Sequence, residues 1–127
     1  MTANSRRHAW VATLAVGVVL GFCSASHAKT LYVDANTGSD ATTYAANGPS
    51  APWRSIGRAA WGSTNRTAPN ASEAARAGDI VMVAGGTYTT TVSVGSRWSV
   101  VYNPANSGTF DSPITFRCVG VCLLGAP

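Results

Sequence analysis

Ala77-Gly78-Asp79-Ile80-Val81-Met82-Val83-Ala84-Gly85-Gly86-Thr87-Tyr88 is the stretch whose reading decides the fold. Ile80 to Val83 is an unbroken apolar run with two β-branched valines. It is too short for a helix and is flanked by turn residues, so it reads as a buried strand. Gly78 can take the positive φ of a helix exit, and Asp79 can turn the chain as it leaves. Gly85-Gly86 predicts a sharp corner, with a second extended segment opening at Thr87-Tyr88. The stretch therefore divides the chain, with helix expected before it and β-structure after it.

Upstream of it, Ser72 to Ala77 predicts a second helical turn or two ending at Gly78. Ser55 is a suitable N-cap for a short helix running to Trp61, with Ile56, Ala59 and Ala60 on one face. Thr30-Leu31-Tyr32-Val33-Asp34 alternates and reads as a first strand. Downstream, Thr87 to Val94 is the most strand-like segment and Ser99 to Tyr102 a shorter candidate. Pro113 to Cys118 places Ile114, Phe116 and Cys118 on one face, and Val121 to Leu124 is a last apolar run. Segments 62–71 and 95–112 read as long loops.

The first 28 residues read as an export signal. Arg6 and Arg7 form a basic start, Trp10 to Phe22 is uncharged and largely apolar, and Ser26-His27-Ala28 is a small-x-small cleavage site before Lys29. The apolar run falls short of the roughly 20 residues that span a bilayer. The expected product is secreted or periplasmic, begins at Lys29 and has no membrane segment after signal removal. Leu20-Gly21-Phe22-Cys23 is a poor lipoprotein box because Phe22 precedes the cysteine, and Arg6-Arg7 leaves a twin-arginine route open. Residues 29–127 carry seven basic and five acidic side chains, a balance of +2, with no basic cluster to bind nucleic acid.

Both histidines, His8 and His27, lie in the leader. Residues 29–127 therefore hold no Ser-His-Asp or Cys-His catalytic set and no histidine metal site. Their acidic residues are Asp34, Asp40, Glu73, Asp79 and Asp111, and no close pair among them marks a glycosidase couple. No catalytic residue is assigned.

The loop Asp34-Ala35-Asn36-Thr37-Gly38-Ser39-Asp40 invites a calcium reading through Asp34, Asn36 and Asp40. Its glycine stands one place early for an EF-hand and Ala45 replaces the closing glutamate, so a structural turn is the leading reading. Cys118 and Cys122 are an even pair in an exported chain. A local disulfide leads if the chain turns at Gly120; free buried thiols are the alternative, and a zinc site lacks two ligands. Trp53, Trp61, Tyr88, Trp98 and Tyr102 have the amphipathic surfaces that stack on sugar rings. Trp53, Trp61 and Tyr88 also suit a packing role, which leaves Trp98 and Tyr102 as carbohydrate-binding candidates. Asn65-Arg66-Thr67 and Asn70-Ala71-Ser72 match the N-glycosylation pattern and read as chance matches behind a bacterial-type signal.

Four separated segments then carry a resemblance: Tyr32-Val33-Asp34 with Gly38-Ser39-Asp40; Ala51-Pro52-Trp53-Arg54-Ser55-Ile56-Gly57-Arg58-Ala59-Ala60; Ala77 to Tyr88; and Ser112-Pro113-Ile114-Thr115-Phe116-Arg117. In this order they resemble the N-terminal end of secreted right-handed parallel β-helix proteins of the pectate-lyase-like group. The resemblance implies a mainly β fold: the start of a right-handed parallel β-helix with a short N-terminal α-helical cap. Domain organisation follows as a signal peptide over 1–28 and the cap with first coils over 29–127.

For function, the resemblance implies a full-length parent that cleaves acidic polysaccharide by β-elimination. Calcium would neutralise the uronate carboxylate there, and a lysine or arginine would act as base. No cofactor is expected within this stretch. The alternative is a non-catalytic β-helix that binds carbohydrate, adheres or is structural. Stacked coils need about three repeats to hold, and the abrupt end at Gly125-Ala126-Pro127 predicts a piece of a longer protein.

Overall fold

The computed structural model describes residues 27–89, 93–94, 97–98 and 104–125. Residues 1–26, most of the expected export signal, and the strand candidate Ser99–Tyr102 lie outside them. Five strands and one helix follow in the order β1 (Thr30–Val33), α1 (Ile56–Trp61), β2 (Ile80–Thr89), β3 (Ser93–Val94), β4 (Arg97–Trp98) and β5 (Thr115–Gly125). The fold is mainly β. Strands β1, β2 and β5 form one parallel sheet in that order, and β3 and β4 pair as a short antiparallel hairpin.

Parallel pairing stacks like on like. Leu31, Val81 and Phe116 lie in one register line, and Val33, Val83 and Cys118 in the next. In β1 and β2 the inward members are essentially buried: Leu31 and Val81 are both 0% exposed. Alternation with period two places them on one face, as the β-branched run predicts. Burying each such side chain contributes about 1.5–3 kcal/mol relative to leaving it in water.

Helix α1 packs against this interior. Ser55 caps it, its hydroxyl accepting from the Arg58 N–H at 3.0 Å, and the left-handed Gly62 (φ 67) ends it. All six helical residues are buried. Ile56 and Ala59 join Leu31, Val33, Trp53, Val81, Val83 and Tyr88 in a single cluster.

Residues 72–77 are turns and not the expected helix. Asn70 Oδ1 accepts from both the N–H and the hydroxyl of Ser72, and Asp79 Oδ2 accepts from the Arg76 N–H. The Ala75 N–H donates to the Ala59 carbonyl of α1 at 2.8 Å. Side-chain and tertiary acceptors thus take the N–H groups that a six-residue helix would have used, and so short a helix has little propagation energy to set against them. Gly78 has the expected positive φ (87), although it follows turns and not a helix.

The glycine corner also differs from expectation. β2 runs through Gly85-Gly86 as one strand, and its partner β5 carries one extra residue there, between Val119 and Cys122. Gly120 takes φ 90 at this bulge, which turns β5 without breaking the ladder. The same turn brings Cys118 and Cys122 together in a disulfide, with Cα atoms 6.1 Å apart.

Candidate functional site

The two edges of the parallel sheet are built differently, and that asymmetry defines the candidate site. At the β1 edge, Tyr32 faces outward with its N–H and carbonyl. Its N–H donates to the Asn47 side-chain oxygen at 2.8 Å, and its carbonyl accepts from the Asn47 amide at 3.0 Å and from the Trp53 N–H at 2.9 Å. The Asp34 N–H donates to the Trp53 carbonyl at 2.8 Å. A buried amide and a single bridging residue thus replace a neighbouring strand and seal the edge. Asn47 was not singled out in the sequence. Its role depends on a loop folding back over β1, and nothing in Ala46-Asn47-Gly48 signals that.

At the β5 edge no further strand pairs among the described residues. Phe116, stacked on the fully buried Val81, is 38% exposed; Val121 is 74% exposed and Leu124 61%. Val119 and Leu123 are exposed as well. The interior is dry under β1 and β2 and open to water along β5.

A polar network surrounds Arg58 of α1. Arg58 is buried and directs its guanidinium to the carbonyls of Asp40 (3.0 Å), Thr42 (3.0 Å) and Glu73 (2.7 Å), and to the Glu73 carboxylate at 2.9 Å. It also lies 4.9 Å from the Trp53 ring centre. The Tyr44 N–H donates to Glu73 at 2.7 Å. That bond, helped by Arg58, holds the Glu73 carboxyl below the usual glutamate range. Burial, with the bond its hydroxyl donates to Asp79 and the charge of that carboxylate, pushes the Tyr44 phenol up to about 12.

The lowered Glu73 value fixes a sign. A carboxylate stabilised on folding contributes stability that is complete above its ordinary value near 4.5 and lost as pH falls through the lowered folded value. Denaturant midpoints of the Glu73→Gln variant are therefore expected to vary less with pH below about 4.5 than those of the parent chain. The two profiles should converge at the acid end; parallel profiles would show that Glu73 does not carry this linkage.

The two acidic calcium candidates, Asp34 and Asp40, are engaged by the protein's own donors, and the third, Asn36, donates its backbone N–H to Asp34. Asp34 accepts from the N–H groups of Asn36 and Thr37 and from the Thr37 hydroxyl, which lowers its carboxyl pKa, the hydroxyl bond being the largest cause. Asp40 accepts from the N–H groups of Arg54 and Ser55, leading the chain into α1. Among the described residues no three His, Cys, Asp or Glu side chains form a group able to hold a metal. Asn65 and Asn70 form similar local turns with Thr67 and Ser72.

The aromatic candidates separate into two sets. Trp53, Trp61 and Tyr88 are buried against the helix and sheet, so their rings are closed to a sugar. Trp98 is described only through its backbone, as half of β4, and Tyr102 lies outside the described residues. Two of the grooves bordered by described residues bear on this. One, of 340 Å³, lies on the sheet's outward face between Tyr32, Asp34, Pro52, Met82 and Val119. The other, of 480 Å³, lies between Ala60 and Phe116.

No family model matches the chain, and comparison with curated proteins and with solved structures returns no match. No helix among the described residues is long and apolar enough to cross a membrane.

Proposed function

We propose that this chain is the N-terminal capping region of an exported right-handed parallel β-helix. The observation that carries the reading is the contrast between a sealed β1 edge and an open β5 edge on one shared interior. Solenoids bury their hydrophobic faces by stacking, so an end coil needs one closed side and one side that accepts the next coil. Crossovers between parallel strands of one sheet are right-handed in almost all proteins, which supports the handedness. The short helix packed against the interior supports the cap reading.

The working part then lies in later coils of a longer parent. On the sequence resemblance, that parent cleaves acidic polysaccharide by β-elimination with calcium at the substrate carboxylate. The second reading, a non-catalytic carbohydrate-binding or structural β-helix, is favoured by the grooved outer face at Tyr32 and Met82, which carries an aromatic but no cluster of carboxylates. Incubating the full-length exported protein with polygalacturonate or alginate plus calcium separates the two. Rising ultraviolet absorbance from unsaturated products supports the lyase, whereas retention on the polymer with no absorbance change supports the binder.

The cap reading also predicts behaviour for a protein of this sequence alone. Its open β5 edge, lined by Val121 and Leu123, is expected to drive self-association that increases with concentration in sedimentation experiments. Val121→Lys with Leu123→Lys should shift the distribution toward monomer. A parent sequence that is already monomeric at high concentration would argue against an edge built to receive another coil.

A further inference from the structure

Asp79 is the most deeply buried acidic side chain among the described residues, 1% exposed, and it stands at the mouth of β2. Its Oδ1 accepts from the Lys29 backbone N–H at 2.8 Å. Its Oδ2 accepts from the Tyr44 hydroxyl and the Arg76 N–H, both at 2.9 Å. None of these donors is a charged side chain. The nearby cations have other partners. Lys29 Nζ donates to the carbonyls of Tyr44 and Ala45, and the Arg76 guanidinium reaches the Ser72 carbonyl and lies over the Tyr44 ring. A buried carboxylate in such a setting is costly unless a positive charge reaches it.

The missing charge has a source at Lys29 itself. The sequence places the leader's cleavage site between Ala28 and Lys29; His27 and Ala28 are exposed, and Lys29 is bonded to the fold through its backbone N–H and its ammonium. Hydrolysis of that peptide bond adds water across it. Ala28 leaves with the leader as a carboxylate, and the Lys29 nitrogen becomes an amine that takes up a proton at neutral pH. We infer that Asp79 is a socket for the matured amino terminus, its carboxylate forming a buried ion pair with the Lys29 α-ammonium at the place now held by the Lys29 N–H. The Ile80 N–H, which donates to the Lys29 carbonyl at 3.0 Å, locks the same residue into the parallel ladder beside β2. Removal of the leader thus completes the fold as well as releasing it. A charge-assisted bond here is stronger than the neutral one it replaces.

This inference rests on the export reading, and the test keeps the two apart. The chain is produced with its leader, the exported product is purified, and its mass is measured; the amino terminus expected is Lys29. A variant with one glycine inserted between Ala28 and Lys29 matures with a neutral peptide N–H facing Asp79. It is expected to melt about 5 °C lower or more, and in an Asp79→Asn background the same insertion should change little. Acylation by a succinimidyl ester at pH 7 gives a second readout that does not depend on Asp79→Asn folding. The Lys29 α-amine should label at least about tenfold more slowly than the glycine-extended terminus, since pairing both shields it and holds its proton. A terminus found elsewhere overturns the export reading and the inference with it. A terminus at Lys29 that labels as fast as the extended one, with no loss of melting temperature on insertion, overturns the pairing alone.

Discussion

Trp53→Ala is expected to lower stability by about 3–5 kcal/mol, a large part of the roughly 5–15 kcal/mol that holds a domain together. Trp53 is fully buried within the core cluster, and its backbone bridges the outer edge of β1. Its indole N–H donates to the Thr42 carbonyl at 2.8 Å, and its ring lies beneath the Arg58 guanidinium. Removing the indole leaves a cavity, a carbonyl without that donor and an arginine without its platform. Gly38 belongs to the same arrangement: a β-carbon there would stand 2.1 Å from the Trp53 carbonyl oxygen, so the loop closes over Trp53 only with glycine at that position. Urea denaturation followed by circular dichroism reads the loss. Trp53→Phe, which keeps a smaller aromatic ring but not the N–H, should lose about 1 kcal/mol from the missing bond and a further amount from reduced packing. Alanine and phenylalanine variants of equal stability would show that an aromatic ring at position 53 contributes nothing to the packing.

Arg58→Ala is expected to cost a similar amount, about 3–5 kcal/mol, as breaking a buried charged network does. Among the described residues, three of the guanidinium's bonds go to backbone carbonyls and one goes to the Glu73 carboxylate. That proportion decides what a double variant does. If the ion pair dominated, removing Glu73 as well would restore most of the loss. Because carbonyls dominate, Arg58→Ala with Glu73→Gln should remain nearly as unstable as Arg58→Ala alone. Arg58→Lys should recover less than half, since one ammonium cannot reproduce the planar fork that reaches Asp40, Thr42 and Glu73 together. A double variant close to the parent in denaturant midpoint would reverse this ranking of the bonds.

Trp53 and Trp61 are buried in the fold, so neither ring is open to a sugar. The carbohydrate reading is therefore concentrated on Trp98, Tyr102 and the outward groove at Tyr32 and Met82. The disulfide lies on β5, the strand whose outer edge is open. Its four-residue separation closes too small a loop to hold distant parts of the fold together, so its effect is local to the bulge.

Local pattern determined what depends on neighbours in the chain. The alternation in Thr30–Val33, the valines at 81 and 83, the Ser55 cap and the cysteine pair around Gly120 could each be read directly, because period-two burial, capping and a glycine turn are short-range effects. Tertiary structure decided the rest. The parallel order β1-β2-β5 joins segments about 50 and 35 residues apart, and no local signal sets that pairing. Residues 72–77 lost their helix to acceptors at Ala59 and Asp79. Asp79 reads as a turn residue in the sequence, and nothing there marks Asn47 or Arg58 for burial, yet all three are buried in the fold because a loop returns to meet each. A polar side chain becomes a structural centre only when long-range folding removes its water, and the order of residues does not state where that will happen.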